Sequence, residues 1–311
     1  MTTNNRTNKS VLCIGEAMLE LSLSDSKTAN LNYAGDTLNT AVYLQRLGSG
    51  SDITVAYCTV VGQDTLSDRL VDYIRSEDID VSTIQRTDNH TIGVYAINTD
   101  DNGERSFTYW RNESAARTLF QHDDNTDFNV LENFDVIYLS AITIAILPAN
   151  IRNALLEKLS CLRQTKDIKL AFDSNYRPAL WESKSIARSA IASFWQITDI
   201  ALPSIDDEQA LFDDPDEEAL VMRLKSYGID QGALKRGETG PLSLTNDASS
   251  LSQQLTPVNV VDTTAAGDSF NAGYLSALLK GATPINALEA GHQCAARVIT
   301  HRGAIIPKTD W

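Results

Sequence analysis

No stretch of this sequence approaches the roughly eighteen consecutive apolar residues of a membrane-spanning helix. The polar opening, residues 1–10, also lacks the apolar run of a signal peptide. A cytoplasmic chain is therefore expected, with residues 1–10 as a frayed tail. Cysteine is scarce: Cys13, Cys58, Cys161 and Cys294 are scattered without a Cys-x-x-Cys pair, which excludes a disulfide framework or a zinc knuckle. Three of the four stand inside apolar or helical runs, where buried inert thiols are found. The histidines His90, His122, His292 and His301 show no metal-ligand spacing and are read as surface or packing residues. Basic residues are in deficit, 26 Lys and Arg against 41 Asp and Glu, giving a formal charge of −15. Such a surface repels phosphodiester backbones, so nucleic acid is not an expected partner. Local basic groups can still hold an anion within a cleft.

Two nucleotide-binding signatures are also missing. No Gly-x-Gly-x-x-Gly follows the first strand-like run; Gly48-Ser49-Gly50 lacks the third glycine and follows a helical pattern. Neither Gly237 nor Gly273 is followed by the Gly-Lys-Ser/Thr of a P-loop. No repeat, low-complexity segment or linker divides the chain.

What is present is a rhythm. Strand-like runs at 11–23, 53–61, 136–140, 169–173, 199–203 and 232–235 alternate with helical patterns at 37–47, 65–76, 149–163, 183–194, 217–226, 265–279 and 284–300. Strands alternating with helices predict an α/β fold, a mostly parallel sheet flanked by helices on both faces. The runs at 92–98 and 106–111 break the rhythm. They flank the turn signal Asp101-Asn102-Gly103 and read as a hairpin with no helix of its own. One domain over 11–311 is expected, with a small β lid from about 16–36 and 92–111.

Residues 258–261 are β-like, and a helix pattern starts near Ala265. Between them, Thr263 or Thr264 can cap the helix and leave the amides of Ala265, Ala266, Gly267 and Asp268 free. Small residues there admit a phosphate to the backbone, and the helix dipole favours its charge. Asp268, in the first turn, is then a candidate base for a hydroxyl attacking phosphorus. The same spacing also describes an ordinary capped helix with an acidic first turn.

Residues 262–273, Asp-Thr-Thr-Ala-Ala-Gly-Asp-Ser-Phe-Asn-Ala-Gly, resemble the carboxyl-terminal signature of the PfkB (ribokinase-like) carbohydrate kinases. That signature carries Gly-Ala-Gly-Asp, so Ala265 stands in place of its first glycine. Further blocks resemble the 2-keto-3-deoxygluconate kinases of that family: residues 34–41, residues 103–111 (Gly-Glu-Arg-Ser-Phe-Thr-Tyr-Trp-Arg), residues 173–178 (Asp-Ser-Asn-Tyr-Arg-Pro) and residues 301–307. The resemblance implies a ribokinase-like three-layer fold and ATP-dependent phosphorylation of a sugar acid at its terminal hydroxyl. Asp268 would be the base, beside an anion hole at Ala265, Ala266 and Gly267. It places Gly35, Asp36, Asn39, Tyr95, Tyr109, Arg111, Arg177 and Asp268 around the sugar, with Arg111 and Arg177 suited to its carboxylate. Ser204, Lys235, Gly237, Gly240, Ala266 and Gly267 fall on the ATP side. Mg2+ is implied, supported through water by Asp207 or Glu208, and a monovalent cation and a homo-oligomer formed through the lid are left open. The alternatives are a kinase for fructose, ribose or another keto-deoxy acid, and a non-catalytic sugar or nucleotide sensor.

Overall fold

The computed structural model describes residues 9–23, 27–99, 105–122, 125–245, 251 and 258–311. The turn signal at 101–103 and most of the expected tail lie outside them.

The strands of the two main sheets are, along the chain, β1 (Lys9–Ile14), β2 (Met18–Leu23), β3 (Ala29–Ala34), β4 (Ile53–Cys58), β5 (Gly93–Thr99), β6 (Arg105–Trp110), β7 (Val136–Ser140), β8 (Lys169–Asp173) and β9 (Ile200–Ala201). A short ribbon follows, β10 (Ala233–Leu234) and β11 (Leu242–Ser243). Lys9 and Ser10, expected in the tail, instead pair with Ile53 and Thr54. The strand-like stretch 11–23 is two strands, because the chain leaves one sheet at Gly15 and enters another at Met18.

The central sheet has the order β9-β8-β7-β1-β4, parallel throughout. Val11, Leu12, Cys13 and Ile14 are all fully buried, which is why this strand reads as a continuous apolar run and not as an alternation. Leu12 and Ile14 face a core filled by α4 (Ala149–Lys166), α5 (Lys184–Trp195) and α7 (Glu217–Ser226). Val11 and Cys13 face the opposite core, filled by α1 (Asp36–Gly48), α2 (Thr65–Ser76), α8 (Ala266–Leu279) and α9 (Pro284–Val298). Each fully buried Leu or Ile in these layers contributes about 1.5–3 kcal/mol. Two helices that periodicity did not mark, α3 (Ala141–Ile146) and α6 (Ile205–Phe212), follow β7 and β9 directly. Cys13, Cys58 and Cys294 are buried free thiols and Cys161 is exposed. No helix among the described residues is long and apolar enough to cross a membrane.

From β1 the chain moves outward to β4 on one side, then returns to build β7, β8 and β9 on the other. The crevice where that order reverses lies at the carboxyl ends of β1 and β7, the place where open α/β sheets bind ligands. A second sheet, β3-β2-β5-β6, stands beside it. Register puts Asn32, Glu20, Tyr95 and Tyr109 in one row across its four strands, and therefore on one face.

Candidate functional site

Three carboxylates converge at the reversal point, each delivered by a different element. Asp36 opens α1, Asp173 ends β8, and Asp268 sits in the first turn of α8. Asp36 accepts from Ser140 Oγ at the end of β7 and from Asn175 Nδ2 at 2.8 Å. Asp173 Oδ2 accepts from Asn271 Nδ2 at 2.6 Å and from Lys235 Nζ at 2.9 Å. One turn along α1 from Asp36, Asn39 donates through Nδ2 to Asp268 Oδ2 at 2.8 Å. Asp268 and Asn271 are likewise one turn apart on α8, so a single helix face supplies both.

The electrostatics follow from this crowding. Enclosure raises the Asp268 carboxyl well above the ordinary carboxylate range; the charges of Asp36 and Asp173 push the same way, while Asn39 and Lys235 oppose. Asp36 is also raised, again chiefly by burial. Asp268 keeps part of its surface open to the cleft. The result is an unusually basic carboxylate at the mouth of a helix.

The start of α8 differs from the expected cap. Neither Thr263 nor Thr264 fills that role. Ala265 does, in the left-handed region at φ 60° and with no side-chain hydrogen bond. Thr264 is held elsewhere: its N–H and Oγ1 donate to Asp262 Oδ1 at 3.0 and 2.8 Å, and Asp262 Oδ2 accepts from Gly303 N–H at 2.6 Å. Ala266 N–H is spent on Thr263 O at 3.1 Å. Among the described residues the Gly267 and Asp268 amides have no acceptor. Lys235 Nζ lies over this turn, 3.6 Å from where a Cβ on Gly267 would be. Free amides, a helix dipole and an ammonium group together form an anion site.

The remaining candidates divide. Gly35 precedes α1, where a Cβ would lie 2.2 Å from Glu16 O, so only glycine fits. Tyr95 is nearly buried on the second sheet, while Tyr109, stacked on it at 5.7 Å, is half exposed. Arg111 is buried and ion-paired with Glu16. Arg177 is half exposed, with Nη1 3.2 Å from Asp207 and 2.8 Å from Tyr176 O. Among the described residues no bond joins the two arginines. Ser204 caps α6 and bridges to Lys235, and Gly237 and Gly240 turn the chain beyond it at positive φ.

Glu208 is a correction. It is fully buried, 2.9 Å from Arg223 and accepting from Trp195 Nε1 at 3.2 Å, so it cannot support a metal in the cleft. Asp207, its neighbour, feels the charges of Arg177, Asp173 and Lys235 and faces the site. No set of three or more potential ligands among the described residues encloses a metal by itself. Asp173, Asn175, Asn271 and Glu16 join the site only in the fold, for the motifs assign them no role. The usable signal was Asp173 closing an apolar strand, since carboxyl ends of parallel strands carry ligands.

Residues 8–311 match the pfkB family of carbohydrate kinases. The 2-dehydro-3-deoxygluconokinase of Dickeya dadantii is 42% identical over 307 residues, covering 97% of this chain and 98% of that one. Among solved structures, the 2-dehydro-3-deoxygluconokinase of Thermotoga maritima superposes with a TM-score of 0.82 at 20% identity, covering 96% and 95%. A putative ribokinase II of E. coli, in complex with ATP and Mg2+, superposes at 0.80 with 21% identity, covering 96% and 94%. The expected three-layer fold is the one these structures share.

Proposed function

The chain belongs to the pfkB family of carbohydrate kinases, and from that premise we propose that it transfers the terminal phosphoryl group of ATP to the terminal hydroxyl of 2-dehydro-3-deoxygluconate, the 2-keto-3-deoxy acid. The observation that carries the chemistry is Asp268, raised in basicity and held by Asn39, one turn inside a helix whose Gly267 and Asp268 amides are free. Asp268 takes the hydroxyl proton as oxygen attacks phosphorus. The amides and Lys235 meet the charge that develops on the transferring group. Lys235 is kept in place by Asp173 and Asn271. Asp207 is the residue suited to hold Mg2+ through water, and the ion supplies neutralisation of the β- and γ-phosphates.

The substrate rests on the relatives named above together with Arg177, whose half-exposed guanidinium can turn toward a carboxylate. Closure of the second sheet over the sugar would exclude water and limit idle ATP hydrolysis. That sheet leaves Leu31 and Trp110 exposed on the face opposite Tyr95, a surface suited to a second copy of the chain. One observation favours a neutral sugar instead: Glu16 already neutralises Arg111, and Asp207 partly neutralises Arg177. The deciding experiment measures ATP turnover with 2-dehydro-3-deoxygluconate, fructose and ribose, with the phosphorylated carbon assigned by 31P NMR. Preference for the acid by at least a hundredfold in kcat/KM is expected; equal turnover of a neutral sugar overturns the assignment.

A further inference from the structure

Glu20 lies on β2 with 2% of its surface exposed, and among the described residues no cation pairs with it. Its carboxylate is instead surrounded by donors. Oε1 accepts from Ser22 Oγ at 3.1 Å and from Asn32 Nδ2 at 3.3 Å. Oε2 accepts from the phenol of Tyr95 on the adjacent strand. A buried carboxylate is kept in place by such donors, and a carboxylate only accepts. The single phenolic proton of Tyr95 is therefore committed to Glu20.

This has a consequence for what Tyr95 can read. Tyr95 belongs to one small buried cluster with Met18, Ala34, Ile97 and Ala304, and Ala265 at the mouth of α8 packs against that cluster. The charge of Asp268 reaches the Tyr95 hydroxyl. A phenol oxygen whose proton is held in this way offers any further partner lone pairs and no hydrogen. It can accept from a sugar hydroxyl, and it repels a carboxylate or a ketone oxygen.

We propose that Glu20 is a positioning residue for substrate selection: by holding the Tyr95 proton it makes Tyr95 a hydrogen-bond acceptor for an internal hydroxyl of the sugar acid, and so a reader of that hydroxyl's configuration. The inference rests on the sugar-acid reading above. It also separates the ends of the substrate, since a carboxylate is turned away from Tyr95 and toward Arg177. Sites that hydrogen-bond a substrate hydroxyl reject analogues lacking it far more strongly than apolar pockets do.

The test uses fluorine, which replaces a hydroxyl without being able to donate. Wild-type enzyme is assayed with 2-dehydro-3-deoxygluconate and with its 4-fluoro and 5-fluoro analogues, and the series is repeated with Tyr95→Phe and Glu20→Gln. One analogue is expected to show a KM at least tenfold above the parent in wild type, with kcat and the KM for ATP within about threefold. In Tyr95→Phe the penalty should vanish. Glu20→Gln should raise the parent's KM about tenfold, and should add nothing in the Tyr95→Phe background. Both analogues behaving like the parent in wild type would overturn the proposal, and this arm does not depend on any variant folding. So would a Glu20→Gln loss that persists undiminished in Tyr95→Phe, or one that raises the KM for ATP equally, since a merely structural role does that. An enzyme that ignores the parent acid altogether refutes the substrate assignment instead.

Discussion

Asn39 on α1 donates to Asp268 on α8 at 2.8 Å, joining residues 229 positions apart in sequence. This bond fixes the orientation of the carboxylate in the first turn of α8, the turn that carries the free amides. It also opposes the burial and the neighbouring charge that raise that carboxyl.

The pH dependence follows from those interactions. A base must be ionised, so kcat/KM should rise with pH through the neutral range, later than an ordinary aspartate would require. Asp36 contributes to the elevation by its negative charge. Asp36→Asn should therefore move the rising limb to lower pH, whatever it does to the plateau. A limb that stays in place in a pH–rate profile contradicts the coupling.

Stability should show the opposite face of the same effect. The folded-state carboxyl of Asp268 is raised above its unfolded value, so charging it costs stability as pH climbs above the unfolded value, near 4, and the full cost is felt above the folded value. Asp268→Asn removes that cost. Its melting temperature should exceed wild type by a few degrees in alkaline buffer, with the difference fading toward pH 4. Calorimetry at the two pH values checks it, and a variant less stable at both contradicts the burial argument.

Ala265 holds a left-handed conformation at φ 60° with no cap hydrogen bond. A side chain there costs about 1–2 kcal/mol, partly offset by the greater unfolded-state freedom of glycine. Ala265→Gly should stabilise the protein by up to about 1 kcal/mol and keep its activity. Urea denaturation measures this; a destabilised variant would mean the strain is absent.

Glu208 and Asp207 should separate cleanly. Removing one partner of a buried ion pair costs about 3–5 kcal/mol, so Glu208→Ala should be strongly destabilised while its folded fraction keeps the wild-type Mg2+ dependence. Asp207→Asn should stay folded and need severalfold more Mg2+ for half-maximal rate. The reverse pattern in a Mg2+ titration would return Glu208 to the site.

Asp207 and Glu208 also show what could be read from sequence alone. Both are acidic residues at a helix start, but successive residues on a helix point about 100° apart. One therefore faces the cleft and the other the core, and only packing decides which. The helix at 65–76 matches its periodicity because Asp64 caps it and Leu70 and Ile74 are buried beneath it. Asp36, Asn39 and Asp268 were recognisable because their motifs are local. Glu16, Glu20 and Asn271 take their meaning from partners on other strands and helices, which no local pattern records; for Asp173 only its place at the end of an apolar strand is a local hint. Nor does an alanine announce a positive φ, so residue type alone points to Thr263 or Thr264 as the cap of α8.

The most direct test of the account is the single-turnover rate of phosphoryl transfer by Asp268→Asn with 2-dehydro-3-deoxygluconate and ATP, alongside binding of both ligands by calorimetry. A positioned general base contributes about 10²–10⁴-fold. The account predicts a rate about 10³-fold below wild type with both affinities within a few-fold. A rate within tenfold of wild type would remove Asp268 from the reaction and the account with it.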